Sequence, residues 1–234
     1  MNLIELLIII GWKDLAVLAM IAVIWLVLGF VIEHPSARRP SVSRLMEGYR
    51  RAWMEDFSKR ENRVFDATII SSLRQSTSFF VSTCLLAVGG LLALMGNIDQ
   101  LSGVAEQLTH QNESQLLWQL RLLPATVFLI IAVLKFIWSN RLFGYCSILM
   151  GSVPIDKDSP QGPARAARAA ELNIRAAISF NRGLRAMYFA LATLAWVMGD
   201  ALLVISVLAV TGFLWSREFA SRSRDVMLDG ADDH

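Results

Sequence analysis

Four apolar stretches, each long enough to cross a lipid bilayer and each bounded by charge, restrict what this chain can fold into. The first, LAVLAMIAVIWLVLGFVI, runs from Leu15 to Ile32 without a charged residue. The second, STSFFVSTCLLAVGGLLALMG, follows Arg74 and Gln75 and ends at Gly96. The third follows Arg121 and reaches Trp138 across Lys135, and the fourth runs from Met187 to Trp215 around one acid, Asp200. A hydrocarbon core of about 30 Å takes about 20 helical residues, so each stretch is sufficient. A membrane barrel would need alternating strands of about ten residues, and none is present. The pattern predicts an all-α membrane protein with four transmembrane helices, at about 15–32, 75–96, 122–139 and 186–215, in a single integral membrane domain. Charged residues make up 18% of the chain, against about a quarter in soluble domains. They collect between the apolar blocks, which is the distribution a multi-pass protein requires.

The N-terminal segment, MNLIELLIIIGWKD, has Glu5 as its first charge and no basic n-region, so it is expected to stay attached rather than act as a cleaved signal. Met1 to Gly11 is read as an extension of the first helix or as an interfacial segment, with Trp12 and Lys13 near the headgroups.

Charge between the blocks sets the orientation. Residues 33–74 hold nine Lys or Arg against six acids, and residues 141–185 hold seven against three. The connection 97–120 has no basic residue, and its acids are Asp99, Glu106 and Glu113. Basic loops stay in the cytoplasm. The expected topology is therefore a protein of the inner or plasma membrane with cytoplasmic connections at 33–74 and 140–185, an outer loop at 97–120, and both termini outside. Arg217, Arg222 and Arg224 in the tail disagree with that last placement.

Both cytoplasmic connections read as long helical extensions. From about Val42 one helix is predicted to run into the second span, and Trp53, Met54 and Phe57 on it need a surface to cover them. That surface is either the other connection or another subunit. The second connection breaks at PIDKDSPQGP and resumes as an Ala-rich helix after Pro163. Its Arg165, Arg168, Arg175 and Arg182 share one face, which either attracts anionic headgroups or is a solvated cytoplasmic surface.

The stretches WMEDFSKRENRVFDATIISSLRQSTSFFVSTCLL and NRGLRAMYFALATLAWVMGD resemble the domain of unknown function 599 family, four-span membrane proteins of bacteria and plants. The resemblance extends over roughly Arg44 to Trp215. It rests most on Arg63, Asp66, the Ser78 to Thr83 run, Ser139 with Arg141, Asn181 with Arg182, Tyr188, Trp196 and Gly199. It implies the four-span fold and no particular activity.

Asp200 is the residue with most chemical promise. In one continuous span it lies about 22 Å inside Arg185, near the bilayer midplane, where a carboxylate is expensive. It is either a proton or cation site, or a protonated acid bonded to a neighbouring helix or aided by local backbone irregularity after Gly199. Lys135 is its natural partner to test, although its position about 9 Å inside Arg141 suits snorkelling to the headgroups. Ser78, Ser82 and Thr83 make the second span polar at one end, and Gly89 and Ala93 continue a stripe of small residues. That stripe suits close helix contact, or it lines a wet vestibule.

No cofactor, metal site or enzymatic activity is expected. The histidines, His34, His110 and His234, lie outside the spans, against a membrane haem. His110 and Glu113 are too few for a metal site. Cys84 and Cys146 lie too far apart along their spans for a disulfide, and neither has a His and Asp beside it. No nucleotide-binding glycine loop is present, and no nucleic-acid partner is expected. The partners expected are the bilayer, a second copy of the chain and other membrane proteins. Two functions follow: a homo-oligomeric structural or interaction component of the membrane, or an oligomeric ion or proton channel or small transporter using Asp200 and the polar half of the second helix.

Overall fold

The computed structural model describes residues 11–36, 38–97, 115–156 and 158–229. Met1 to Ile10, Asp99, Glu106, His110, Glu113 and His234 lie outside them. Among the described residues there are seven α-helices and no strands: α1 (Trp12–Glu33), α2 (Val42–Lys59), α3 (Val64–Gly96), α4 (Gln115–Gly151), α5 (Gly162–Thr193), α6 (Asp200–Phe219) and α7 (Arg222–Asp229). Four stretches are long and apolar enough to cross a membrane: α1, α3, α4 and Asp200–Asp229, whose apolar part is α6. The all-α class and the four helices able to span a membrane that the sequence predicts therefore stand.

Local chemistry sets the boundaries. α1 stops at His34 because Pro35 follows and cannot continue a helix. Ser41 then caps α2, its hydroxyl accepting the Arg44 amide at 3.2 Å. α5 begins with Pro163 in its first turn, where the missing amide is harmless.

The rods run antiparallel in order. Gln119 at the start of α4 donates to the Met95 carbonyl at the end of α3, and Asn140 donates to Ser78 Oγ at the other end of the pair. α5 lies along α4 in the closest contact of the fold. Ser139 Oγ donates to the Ala176 carbonyl at 2.8 Å, and Ser179 Oγ to the Lys135 carbonyl at 2.9 Å. Gly183 makes this approach possible, since a Cβ there would meet the Phe136 ring at 2.7 Å. Phe128, Phe136, Phe189, Leu203 and Leu214 fill the core between α1, α4, α5 and α6.

Sequence reasoning erred at two joints. The helix expected to run unbroken from Val42 into the second span stops at Lys59 and restarts at Val64. Trp53, Met54 and Phe57 accordingly fold back onto the other connection, where Met54 and Phe57 are buried with Cys146, Met150, Ala166 and Ala169. The span expected at 186–215 is also interrupted. α5 ends at Thr193, a 3-10 turn occupies Leu194–Met198, and Gly199 turns the chain at φ +112°. α6 then returns along α5: Phe213 lies 5.6 Å from Tyr188, and Arg217 sits 5.9 Å over the Tyr188 ring. Glu218 ends beside Ser43. The segment is thus a helical hairpin.

This hairpin moves the end of the chain. α7 lies against α2, with Tyr49 Oη donating to the Met227 carbonyl and Arg224 Nε to the Pro40 carbonyl. The two ends of the described chain, Gly11 and Asp229, therefore lie at opposite ends of the bundle.

Candidate functional site

Asp200 is the first residue of α6, not the middle of a span. It is exposed, and its carboxylate accepts the Trp196 indole N–H at 2.8 Å. Trp196 in turn borders a recess with Asp14 and Arg121, the charged residues where α1 and α4 begin. Asp200 thus sits at the hairpin tip, at the end opposite the basic connections. An acid in the first turn of a helix meets unpaired amides and the positive end of the helix dipole, so its presence there has a local reason.

The other members of the expected constellation are elsewhere. Ser78 accepts Asn140 Nδ2 at 2.6 Å near the basic end. Ser82 and Thr83 face outward, and Thr83 Oγ1 donates back to the Phe79 carbonyl. Lys135 borders a recess with Glu33, Arg182 and Arg185, also at the basic end. The structure brings none of these four together with Asp200.

The residues singled out by the resemblance have structural posts. Asp66 is wholly buried and accepts Trp53 Nε1 at 2.6 Å and Arg60 Nη1 at 2.8 Å. Arg63 donates to the Val153 and Pro154 carbonyls at 2.5 and 2.7 Å, with its guanidinium over the Phe57 ring. Together they hold the elbow between α2 and α3 against the end of α4. Arg141 Nε donates to Tyr145 Oη at 2.6 Å. Tyr188, Trp196 and Gly199 shape the hairpin, while Asn181 ties α5 to Ser43 of α2 and Arg182 ties it to Glu33 at the end of α1.

A cavity of about 480 Å³ lies between the basic end of the bundle and helices α2 and α7. Its walls are mainly apolar, and its charged groups are Glu33, Glu47 and Glu218 with Arg50, Arg185 and Arg217. Glu218 is 4% exposed and accepts both the Ser43 amide and hydroxyl at 3.0 Å. Asn181 Nδ2 donates to the same hydroxyl at 3.2 Å. Arg50 donates to Asn173 Oδ1, and burial pulls its guanidinium below the ordinary value. Glu33 accepts from both Arg182 and Arg185. The acids and guanidiniums of this cavity balance in number. Its residues can clamp α1, α2, α5 and α6 to one another. Sequence reasoning missed Glu33, Ser43, Arg185 and Glu218; the available signal was that two of them, Glu33 and Arg185, are the first charges flanking apolar runs.

A family model described as "Protein of unknown function, DUF599" matches residues 16–223. No curated protein and no solved structure matches the chain.

Proposed function

The chain belongs to the DUF599 family of proteins of unknown function, and from that premise we propose that it is a homo-oligomeric structural or interaction component of the cell membrane. The observation that carries this reading is the free face of α3. This helix packs chiefly against α4 and buries only Thr77, Cys84 and Leu91 within its apolar length. On the outward side Ser82, Gly89, Gly90 and Ala93 are exposed, and a Cβ at Gly89 or Gly90 would meet nothing within 4 Å. Small residues in a membrane helix suit close approach of another helix, and none of the described helices of this chain takes that place. A second copy, meeting face to face about a two-fold axis, suits it.

The basic end is assigned to the cytoplasm by the excess of Lys and Arg in 33–74 and 141–185. With the hairpin, Arg217, Arg222 and Arg224 join that end, so the tail agrees with the rule it would otherwise break. The C-terminus is then cytoplasmic and the N-terminus outside. A cysteine introduced at Ser221 should react only with a reagent that has access to the cytoplasm. Labelling from outside would reject the orientation.

An ion or proton channel would need Asp200 and the polar half of α3 to share a wet path, and they stand at opposite ends of the bundle. No observation favours that alternative, and no enzymatic reaction is proposed. The assembly reading is tested by the mass of the purified protein in mild detergent and in lipid nanodiscs. A multimer that the paired substitution Gly89→Leu and Gly90→Leu converts to monomer supports it. Monomeric wild type in both media would reject it.

A further inference from the structure

On the flank of the bundle, where α1 ends, lies a recess of about 240 Å³ that adjoins the larger cavity at Glu33 and Arg185. Trp25, Gly29 and Glu33 border it from α1, Lys135 from α4, and Arg182 and Arg185 from α5. Three cations therefore surround one carboxylate. Glu33 accepts from Arg182 Nε and Nη2 and from Arg185 Nη2, which fixes both guanidiniums in place. The Arg185 side chain is only 6% exposed, whereas that of Arg182 is 46% exposed. Arg185 also feels Glu218 through the adjoining cavity. The Lys135 ammonium has no ion pair or hydrogen bond among the described residues. Once Glu33 is counted, the recess itself keeps a net charge of two positive units.

The same recess opens onto an apolar flank. Leu26 and Phe30, 60% and 65% exposed, lie at its edge with Ile131. Cationic groups at the end of a span, beside exposed apolar helix faces, suit an amphiphile that is anionic at one end. The volume is below the about 300–1,000 Å³ of a typical small-molecule pocket, so it admits a headgroup and leaves the chains outside.

We propose that this recess binds the phosphate of an anionic phospholipid from the leaflet at the basic end, between Lys135, Arg182 and Arg185, with the acyl chains along Leu26 and Ile131. Arg185 is the preorganised part of the site. Lys135 and the outer edge of Arg182 meet the phosphate directly. Basic recesses between helices at a cytoplasmic boundary are suited to anionic headgroups on electrostatic grounds alone. The proposal does not depend on the oligomeric state.

The test is native mass spectrometry of the full chain in detergent, delipidated and then exposed to phosphatidylglycerol, phosphatidylcholine or inorganic phosphate. Phosphatidylglycerol should be retained about tenfold better than phosphatidylcholine, and Lys135→Gln or Arg182→Gln should each lower that preference about fivefold. Lys135→Gln removes no hydrogen bond or ion pair among the described residues, so the variant is expected to keep the fold. Arg168→Gln with Arg175→Gln, on the same helix but outside the recess, should leave the preference unchanged. Equal retention of the two lipids by the wild type would overturn the proposal. So would an equal loss in the Arg168 and Arg175 variant, which would mean diffuse surface charge. Displacement of bound lipid by millimolar inorganic phosphate would assign the recess to a soluble anion instead, and overturn the lipid assignment.

Discussion

Two places in this molecule interrupt what reads as continuous helix, and they are built in opposite ways. The elbow at Arg60–Arg63 is held by side chains from a distance. Buried Asp66 collects Trp53 and Arg60, and Arg63 reaches across to the carbonyls of Val153 and Pro154. The tip at Leu194–Gly199 is made locally, by a 3-10 turn, one glycine at φ +112° and a single indole-to-carboxylate bond four residues long. The elbow sits at the basic end, where charged groups are available and water competes with backbone bonding. The tip ends a hairpin whose arms are held by apolar contact, so it needs only a backbone that can turn. If this contrast is right, side-chain truncation damages the elbow most, and the tip depends more on its arms than on itself.

The largest effect should come from Asp66→Ala. It removes a fully buried carboxylate and leaves the Trp53 indole and Arg60 guanidinium without their acceptor. Breaking a buried pair costs several kcal/mol, but Arg60 is 43% exposed and water can recover part of the loss. A destabilisation of about 3 kcal/mol is expected in mixed-micelle denaturant unfolding. A loss under about 1 kcal/mol would mean that the elbow is set by backbone preference, like the tip.

Next is Gly183→Ala, on the arm that leads to the tip. The new methyl would lie 2.7 to 3.0 Å from three atoms of a fully buried Phe136 ring, which has little room to move. Overpacking of this kind costs about 2 kcal/mol. Gly199→Ala, at the tip itself, meets no atom within 4 Å and suffers only its backbone conformation, about 1 kcal/mol or slightly more. The same unfolding measurement ranks the two. A Gly199 variant worse than the Gly183 variant would show the turn, not its arms, to be the determinant.

The elbow and the tip differ in how legible they were. The four apolar helices follow from block length, and Arg63 and Asp66 stood out by resemblance, but the break beside them did not. No Pro or Gly lies between Arg50 and Val88, and the elbow is enforced by carbonyls about 90 residues away in sequence. At the tip, two signals were present. The stretch Met187–Ser216 would make about 45 Å of helix, half again the about 30 Å core. The arginines of the tail also stood on the wrong side for a single span. Hydropathy hides such a turn because both arms face the same apolar surroundings, so the run stays apolar on either side of Gly199. The site was legible only in part. Lys135 reads as a charge at the headgroup boundary, and the structure groups it with Glu33, Arg182 and Arg185 around one recess. Glu33 and Arg185 pair only because α1 and α5 meet, over a separation of 152 residues.

The smallest effect should come from Asp200→Leu, and its sign is more informative than its size. A carboxylate at the bilayer midplane would cost about 2.5–3.5 kcal/mol on insertion scales, so replacing it there with leucine would stabilise the protein. At the tip the balance reverses. The substitution deletes the acceptor of the Trp196 indole and a negative charge at the start of α6, in an exposed position. A loss of about 0.5–1 kcal/mol is expected, and Asp200→Asn, which keeps the acceptor, should lose less. Proteoliposomes carrying Asp200→Asn should show the same ion and proton flux as the wild type. Stabilisation by leucine, or flux that collapses with asparagine, would return Asp200 to the membrane interior and make the hairpin one continuous span.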